Sequence, residues 1–377
     1  MLWDPIRHEP LIDAAWDEAV AQAGIREIVT DAERAYDRST LWPQHPNDLP
    51  APSPNPWTGV YCGAAGVALA LSRLGSMRDW NAEVRHFAEI YREAPEEGVA
   101  SPSLMIGEVG ILAIADHERD RLFTLIESNI ENPCIEWLWG APGTMLPALS
   151  LYERTGEARW RDLYVRCAEH LIRTLEYHAD FDVWMWTQQL YGEHVRLLGA
   201  AHGFAGNMYA LLRGAELLAQ QEMIRERATH TLRSVALGYG EYRNWLPHVG
   251  TPRSGRDKIL LQWCHGAPGM ITALANLRNA EVDELLLAGA ELTWHAGPLA
   301  KGQGLCHGTA GNGYALLAMA ARTGDERWLD RARRFAMHAL AQVRAQAQRR
   351  YSLWTGDLGV ALFLRDCIAG AGELPQL

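Results

Sequence analysis

The sequence contains no run of 18 apolar residues free of charge, so it predicts no membrane-spanning helix. Its opening residues, MLWDPIRHEP, hold no apolar stretch of the kind a secretory signal needs. Positive charge is in the minority, with 35 Lys and Arg against 46 Asp and Glu. The resulting formal charge of −11 argues against nucleic acid and anionic membranes as partners, because both select basic surfaces. Cysteine is sparse, six in 377 residues. Without a secretory signal, these are expected as free thiols, metal ligands or catalytic groups, not as a disulfide framework. Alternating β-branched runs are nearly missing, which removes most strand signals. What is left predicts a soluble, cytoplasmic chain, 48% apolar and able to bury a large core. Tryptophan is the one excess, 15 residues that suit either core packing or an aromatic-walled cleft.

Internal repetition organises the chain. A Gly-x-x-Gly followed by an apolar run occurs at Gly63/Gly66, Gly107/Gly110, Gly140/Gly143, Gly203/Gly206, Gly266/Gly269, Gly308/Gly311 and Gly356/Gly359. Successive first glycines are 44, 33, 63, 63, 42 and 48 residues apart, room for two helices and their connections. After Gly143 and after Gly311 the pattern is an apolar helix, a Thr-Gly turn and an amphipathic helix, with Gly156 and Gly324 suited to αL caps. The first helices are nearly apolar all round, which fits burial inside a closed ring better than one face of an open solenoid. The expected fold is all-α, an α/α toroid of seven helical hairpins forming a single domain over 1–377. Residues 1–50 are read as a leading helix over 11–36 and a Pro-rich connection, DLPAPSPNPW, crossing the barrel surface. The repeats fill about 57–370.

Three repeats place a histidine directly before the first glycine: His202, His265 and His307. Two of them add a cysteine one step earlier, Cys264 and Cys306. In a ring of hairpins, equivalent loop positions face one end and one central space, so these five side chains are expected to converge. Two thiolates with one or two imidazoles form a zinc set by ligand softness and number. The spacing leaves each histidine a candidate ligand. His202, with no cysteine beside it, is expected near the metal, where an imidazole suits acid/base work near pH 7. Glu136, four residues before Gly140, reads equally as a helix-start cap. Lys301, in the loop before Cys306, could bind a substrate carboxylate or simply be solvated. Cys62 is read as packing, and Cys134, Cys167 and Cys367 have no motif context. Trp57, Trp137, Trp139, Trp184, Trp186, Trp263 and Trp354 could wall a cleft or pack the inner ring.

WCHGAPG, GLCHGTAGNGYALL and LGAAHGFAGNMYALL resemble the lanthionine synthetase C-like family, across about residues 57–370. The resemblance implies an α/α toroid with one Zn²⁺ held by Cys264, Cys306 and His307, a water or substrate thiol completing the site. It also implies an acid/base role for His202. Where the family's peptide cyclases have an aspartate four residues before the third-repeat glycine, this chain has Glu136. Where they often have a tyrosine after the first zinc cysteine, it has His265. Both departures, together with Lys301 in KGQGLCHG and the YSLW of the seventh repeat, resemble the glutathione-using branch. The implied reaction adds a thiol, glutathione or one like it, to the β-carbon of dehydroalanine or dehydrobutyrine in a peptide or protein. A thiol with a pKa of about 8.5 is mostly protonated at neutral pH, and coordination to Zn²⁺ holds its sulfur as thiolate. His202 would then protonate the α-carbon, with Glu136 assisting or orienting it, and Lys301 and His265 would contact substrate. Ring closure by a lanthipeptide cyclase, thiol binding without turnover, and a Trp-lined carbohydrate enzyme are the competing readings.

Overall fold

A computed structural model describes residues 2–48, 55–190, 192–250 and 258–375. The chain folds as two compact units. One runs from Phe123 to Ala296 and includes the N-terminal residues up to Pro5; the other comprises Ile6–Leu122 and Gly297–Leu377.

All seven repeat glycines start helices. Gly63, Gly107, Gly140, Gly203, Gly266, Gly308 and Gly356 are the N-caps of Ala64–Arg73, Glu108–Ala115, Ala141–Thr155, Phe204–Arg213, Ala267–Ala273, Thr309–Thr323 and Asp357–Ala369. A glycine has no side chain to accept from the first helical N–H groups. Loop carbonyls seven residues upstream do this instead: the Phe204 and Ala205 amides donate to Leu197 and Leu198 at 2.9 and 3.1 Å, and those of Thr309 and Ala310 donate to Gly302 and Gln303 at 2.9 and 3.0 Å. The first, second and seventh repeats share this bond, and in the fifth the Asn244 side chain accepts from the Ala267 amide at 2.8 Å instead. The second glycine is needed for close approach at Gly66, Gly110, Gly206, Gly269 and Gly359. A Cβ at Gly206 would lie 2.1 Å from the Ala200 carbonyl oxygen, and one at Gly269 would lie 2.0 Å from that of Trp263. Gly266 carries a further demand, a φ of +112° that a side chain would strain.

The second helices of the hairpins are amphipathic. Ala158–Arg173 and Glu326–Ala345 follow the glycine-capped helices before them through the αL glycines Gly156 and Gly324, as the Thr-Gly turns predict. The seventh glycine-capped helix, Asp357–Ala369, packs against the first helix of the chain, Glu18–Ala35. That leading helix starts seven residues later than the 11–36 span expected, because the Asp17 side chain caps it by accepting from the Val20 amide at 3.0 Å. Most of the Pro-rich connection, 49–54, lies outside the described residues.

The fold is mostly helical, yet three short antiparallel hairpins interrupt the all-α pattern: Glu176–His178 with Val183–Met185, Gln188–Leu190 with Glu193–Val195, and Ala236–Tyr239 with Tyr242–Trp245. They occupy the two 63-residue intervals, where extra chain has to pair its own backbone groups. Their strands are three or four residues long, too short for a legible alternation. Tryptophan supplies much of each core. Trp137, Trp160, Trp186 and Trp245 are fully buried in one unit, and Trp80, Trp328 and Trp354 in the other. Burying ~150–250 Å² per aromatic side chain makes these rings dominant packing groups.

Candidate functional site

The residues singled out by the repeats divide between the two units. Glu136, His202, Cys264 and His265 belong to the first, and Lys301, Cys306 and His307 to the second.

In the first unit, Glu136 is fully buried and its Oε2 lies 2.8 Å from His202 Nδ1. The same carboxylate accepts from the Leu138 amide at 3.2 Å and from the Trp139 amide. Capping and contact with the catalytic candidate are thus two duties of one side chain. Ile135, directly before Glu136, holds a φ of +37°, which is strained for a β-branched residue. Its carbonyl is gripped by Gln188 Nε2 at 3.1 Å and by Asn207 Nδ2 at 2.9 Å. Gln188 Nε2 also donates to the His202 carbonyl at 2.6 Å, while its Oε1 accepts from the Leu197 amide at 3.1 Å. One buried amide side chain therefore joins the loop of Glu136 to the loop of His202. Neither Gln188 nor Asn207 stands out in the sequence, since a lone Gln or Asn has no motif spacing to mark it.

Cys264 is buried at a tight turn in which the amides and carbonyls of Gln262 and His265 exchange hydrogen bonds of 3.0 and 3.1 Å. Gln262 Nε2 donates to Cys264 Sγ at 2.8 Å. The rings of His202 and His265 stand 6.2 Å apart between centroids. Gly199 makes this approach possible, because a Cβ there would lie 1.9 Å from the Cys264 carbonyl oxygen and 2.6 Å from His265 Nδ1.

In the second unit, the amides of Leu305 and Cys306 both donate to the Trp354 carbonyl at 2.8 Å. The YSLW segment of the seventh repeat is thereby the support of the Cys306 turn. Cys306 is buried and His307 half-buried. Lys301 is exposed in the preceding turn and forms no hydrogen bond or ion pair within the described residues.

The other thiols are chemically quiet. Burial drives the Cys367 thiol well above its usual range and that of Cys167 up to about 12. Cys62 is also pushed well up, by burial and by the Asp48 carboxylate 3.5 Å from its sulfur. It belongs to a polar cluster in which Asp48 pairs with Arg350 and accepts from Thr355 Oγ1 at 2.6 Å. Cys62 is thus hydrogen-bonded as well as packed. Of the tryptophans expected to wall a cleft, Trp137 and Trp263 are buried edge to face with centroids 5.7 Å apart, and Trp186 and Trp354 are core residues. Trp184 is half-buried beside the helix Gln221–Ser234.

Glycine-capped helical hairpins with thiol and imidazole groups beside the capping glycines define a class of helical repeat protein. Residues 46–374 match the model of the lanthionine synthetase C-like proteins, and the chain belongs to that family. It is 33% identical over 194 residues to the glutathione S-transferase LANCL1 of Danio rerio, covering 49% of this chain and 45% of that one. The LanC-like protein GCL1 of Arabidopsis thaliana is 33% identical over 194 residues, covering 48% and 43%. The alignments span somewhat less than half the length of these curated relatives. Nisin cyclase has the same fold, with a TM-score of 0.65 at 14% identity over 93% of this chain and 94% of that one.

Proposed function

We propose that the protein is a zinc-dependent enzyme that forms thioethers by adding a thiol of the glutathione kind to dehydroalanine or dehydrobutyrine residues of a polypeptide. What supports this reading is the donor set, buried thiols at Cys264 and Cys306 and an imidazole at His307, each standing just before the first glycine of a repeat. Two sulfurs and an imidazole nitrogen are a soft, three-ligand donor set that fits Zn²⁺ and leaves one position open, as catalytic zinc requires. The glutathione S-transferase named among the relatives supports glutathione as the thiol. The likeness to nisin cyclase concerns the fold, and ring closure is the alternative reaction on the same chemistry. The closed seven-hairpin toroid and the cytoplasmic setting belong to the same reading.

When bound, the ion would supply the Lewis acidity that keeps a thiol sulfur deprotonated at neutral pH. Gln262, donating to Cys264 Sγ, moderates the charge on that ligand and fixes its direction. Addition forms a C–S bond at the β-carbon and leaves an electron pair at the α-carbon, where a proton has to be delivered. His202 is the donor in this reading. Glu136 accepts from Nδ1, which sets the tautomer and favours the imidazolium form that gives the proton. Lys301 and His265 are assigned to substrate, Lys301 as an exposed cation suited to a thiol substrate's carboxylate.

The test is incubation of the purified protein with a dehydroalanine-containing peptide and glutathione. The expected product is heavier by one glutathione, and the protein contains one zinc per chain. No adduct across several thiols and peptides, with stoichiometric zinc present, overturns the reading.

A further inference from the structure

The first unit carries an arginine-rich groove that none of the repeat-motif residues lines. It lies on the outward face of the helix Gln221–Ser234, whose other face buries Ile224, Ala228, Thr231 and Leu232. The groove has a volume of about 750 Å³ and is open rather than enclosed. Four arginines and only two glutamates line it, on a chain whose formal charge is −11. Such a concentration of positive charge runs against the composition of the whole.

Its parts are preset. The Arg227 guanidinium stacks 3.6 Å from the centre of the Trp184 ring and makes no ion pair within the described residues. Arg233 pairs through Nη1 with Glu281 at 3.3 Å and donates from Nη2 to His230 Nδ1 at 3.2 Å, and the opposite ring nitrogen of that histidine lies 2.9 Å from Asp182 Oδ1. Arg225 reaches Glu222 at only 3.9 Å, and Arg278 approaches from the facing turn. The lining also includes the buried side chain of Leu277. Guanidinium groups pair bidentately with carboxylates, and a ring-stacked arginine is already ordered for that contact.

Positions 225 and 233 are eight residues apart on one helix, about 12 Å at 1.5 Å per residue. One small anion does not span that distance, whereas three or four residues of extended polypeptide do, at roughly 3.3 Å each. We propose that this groove binds an acidic, extended segment of a polypeptide. The inference extends the reading of the chain as an enzyme acting on polypeptides, but binding here needs neither zinc nor turnover.

The experiment measures fluorescence anisotropy of a labelled 12-residue peptide of Glu, Gly and Ser against a counterpart with Gln for Glu, using the full chain. Saturable binding of the Glu peptide is expected, with the Gln peptide at least tenfold weaker. Arg227→Glu should weaken the Glu peptide at least tenfold. Arg161→Glu, at an exposed arginine of the helix Ala158–Arg173 paired with the adjacent Asp162, should stay within twofold. Arg278→Ala replaces Arg227→Glu if melting shows that variant unfolded, with at least a threefold loss expected. Equal binding of the two peptides, unchanged binding in the groove variants, or displacement by free glutamate or inorganic phosphate at the concentration at which unlabelled peptide competes would each overturn the proposal. The thioether assay reads the reaction separately: a protein without transferase activity that still binds the Glu peptide loses the catalytic reading and keeps this one.

Discussion

Glu136 Oε2 and His202 Nδ1 lie 2.8 Å apart, although 66 residues separate them in the chain. The carboxylate is fully buried, and two backbone amides direct it at the imidazole. A buried acid anchored in this way fixes the histidine tautomer and orientation before any substrate arrives.

His202→Ala should lower adduct formation by about 10²–10⁴-fold, the usual contribution of a positioned acid or base. Thiol affinity measured by calorimetry and zinc content should stay near wild type. Loss of thiol binding together with activity would assign His202 to ligand binding instead.

Glu136→Gln keeps the shape but removes the charge facing His202. The alkaline limb of the pH–rate profile, where the proton donor is lost, should move to lower pH, because the imidazolium is no longer favoured. Glu136→Ala should cost a further ~1–2 kcal/mol in denaturant unfolding, since the Leu138 and Trp139 amides lose their acceptor. An unchanged pH profile in the glutamine variant would separate Glu136 from the chemistry.

Gln188→Leu removes the amide that ties Ile135, His202 and Leu197 together. A stability loss of about 1–3 kcal/mol is expected from the buried groups left unpaired. The turnover number should fall while KM for the thiol changes little, because Gln188 positions the acid/base pair and not the sulfur. Steady-state kinetics with both substrates reads this split.

Cys306→Ala should abolish stoichiometric zinc by elemental assay, with activity lost alongside it. Cys62→Ala should leave zinc and activity in place, since its thiol is held protonated by burial and by Asp48. Activity surviving without zinc would remove the metal from the reaction.

Asp48 sets an acid limit on stability. Burial alone would raise its pKa, but the Arg350 guanidinium and the Thr355 hydroxyl outweigh that and hold the carboxyl below its usual range. A lowered folded-state pKa stabilises above the unfolded value, near ~3.9, and this contribution fades as pH falls through the folded value. Asp48→Asn should therefore cost about 3 kcal/mol at pH 7, because it strands Arg350 in the pair's buried setting. The difference from wild type should shrink below pH 4 in denaturant melts.

The repeats were legible in one dimension because their signal is local. A helix start that lets a carbonyl pack against it admits only glycine, so all seven glycine-capped helices announced themselves, and Gly156 and Gly324 marked their ends for the same backbone reason. The histidines and cysteines stood in register with those glycines and could be picked out by position. The three short hairpins could not, because strands of three or four residues show no period and take shape only when extra chain between repeats pairs with itself.

Residue type and repeat register thus determined the helical architecture and marked Cys264, Cys306, His307 and His202 as candidates. Tertiary structure alone decided what Glu136 does, since a carboxylate before a helix caps or catalyses according to what folds back against it. It also chose Gln188, whose amide acquires meaning from partners on other loops, and it gathered arginines from a helix and a facing turn into one groove on an acidic chain. Hydrogen bonds and charge clusters act through space over a few ångströms, and sequence separation carries no record of that distance.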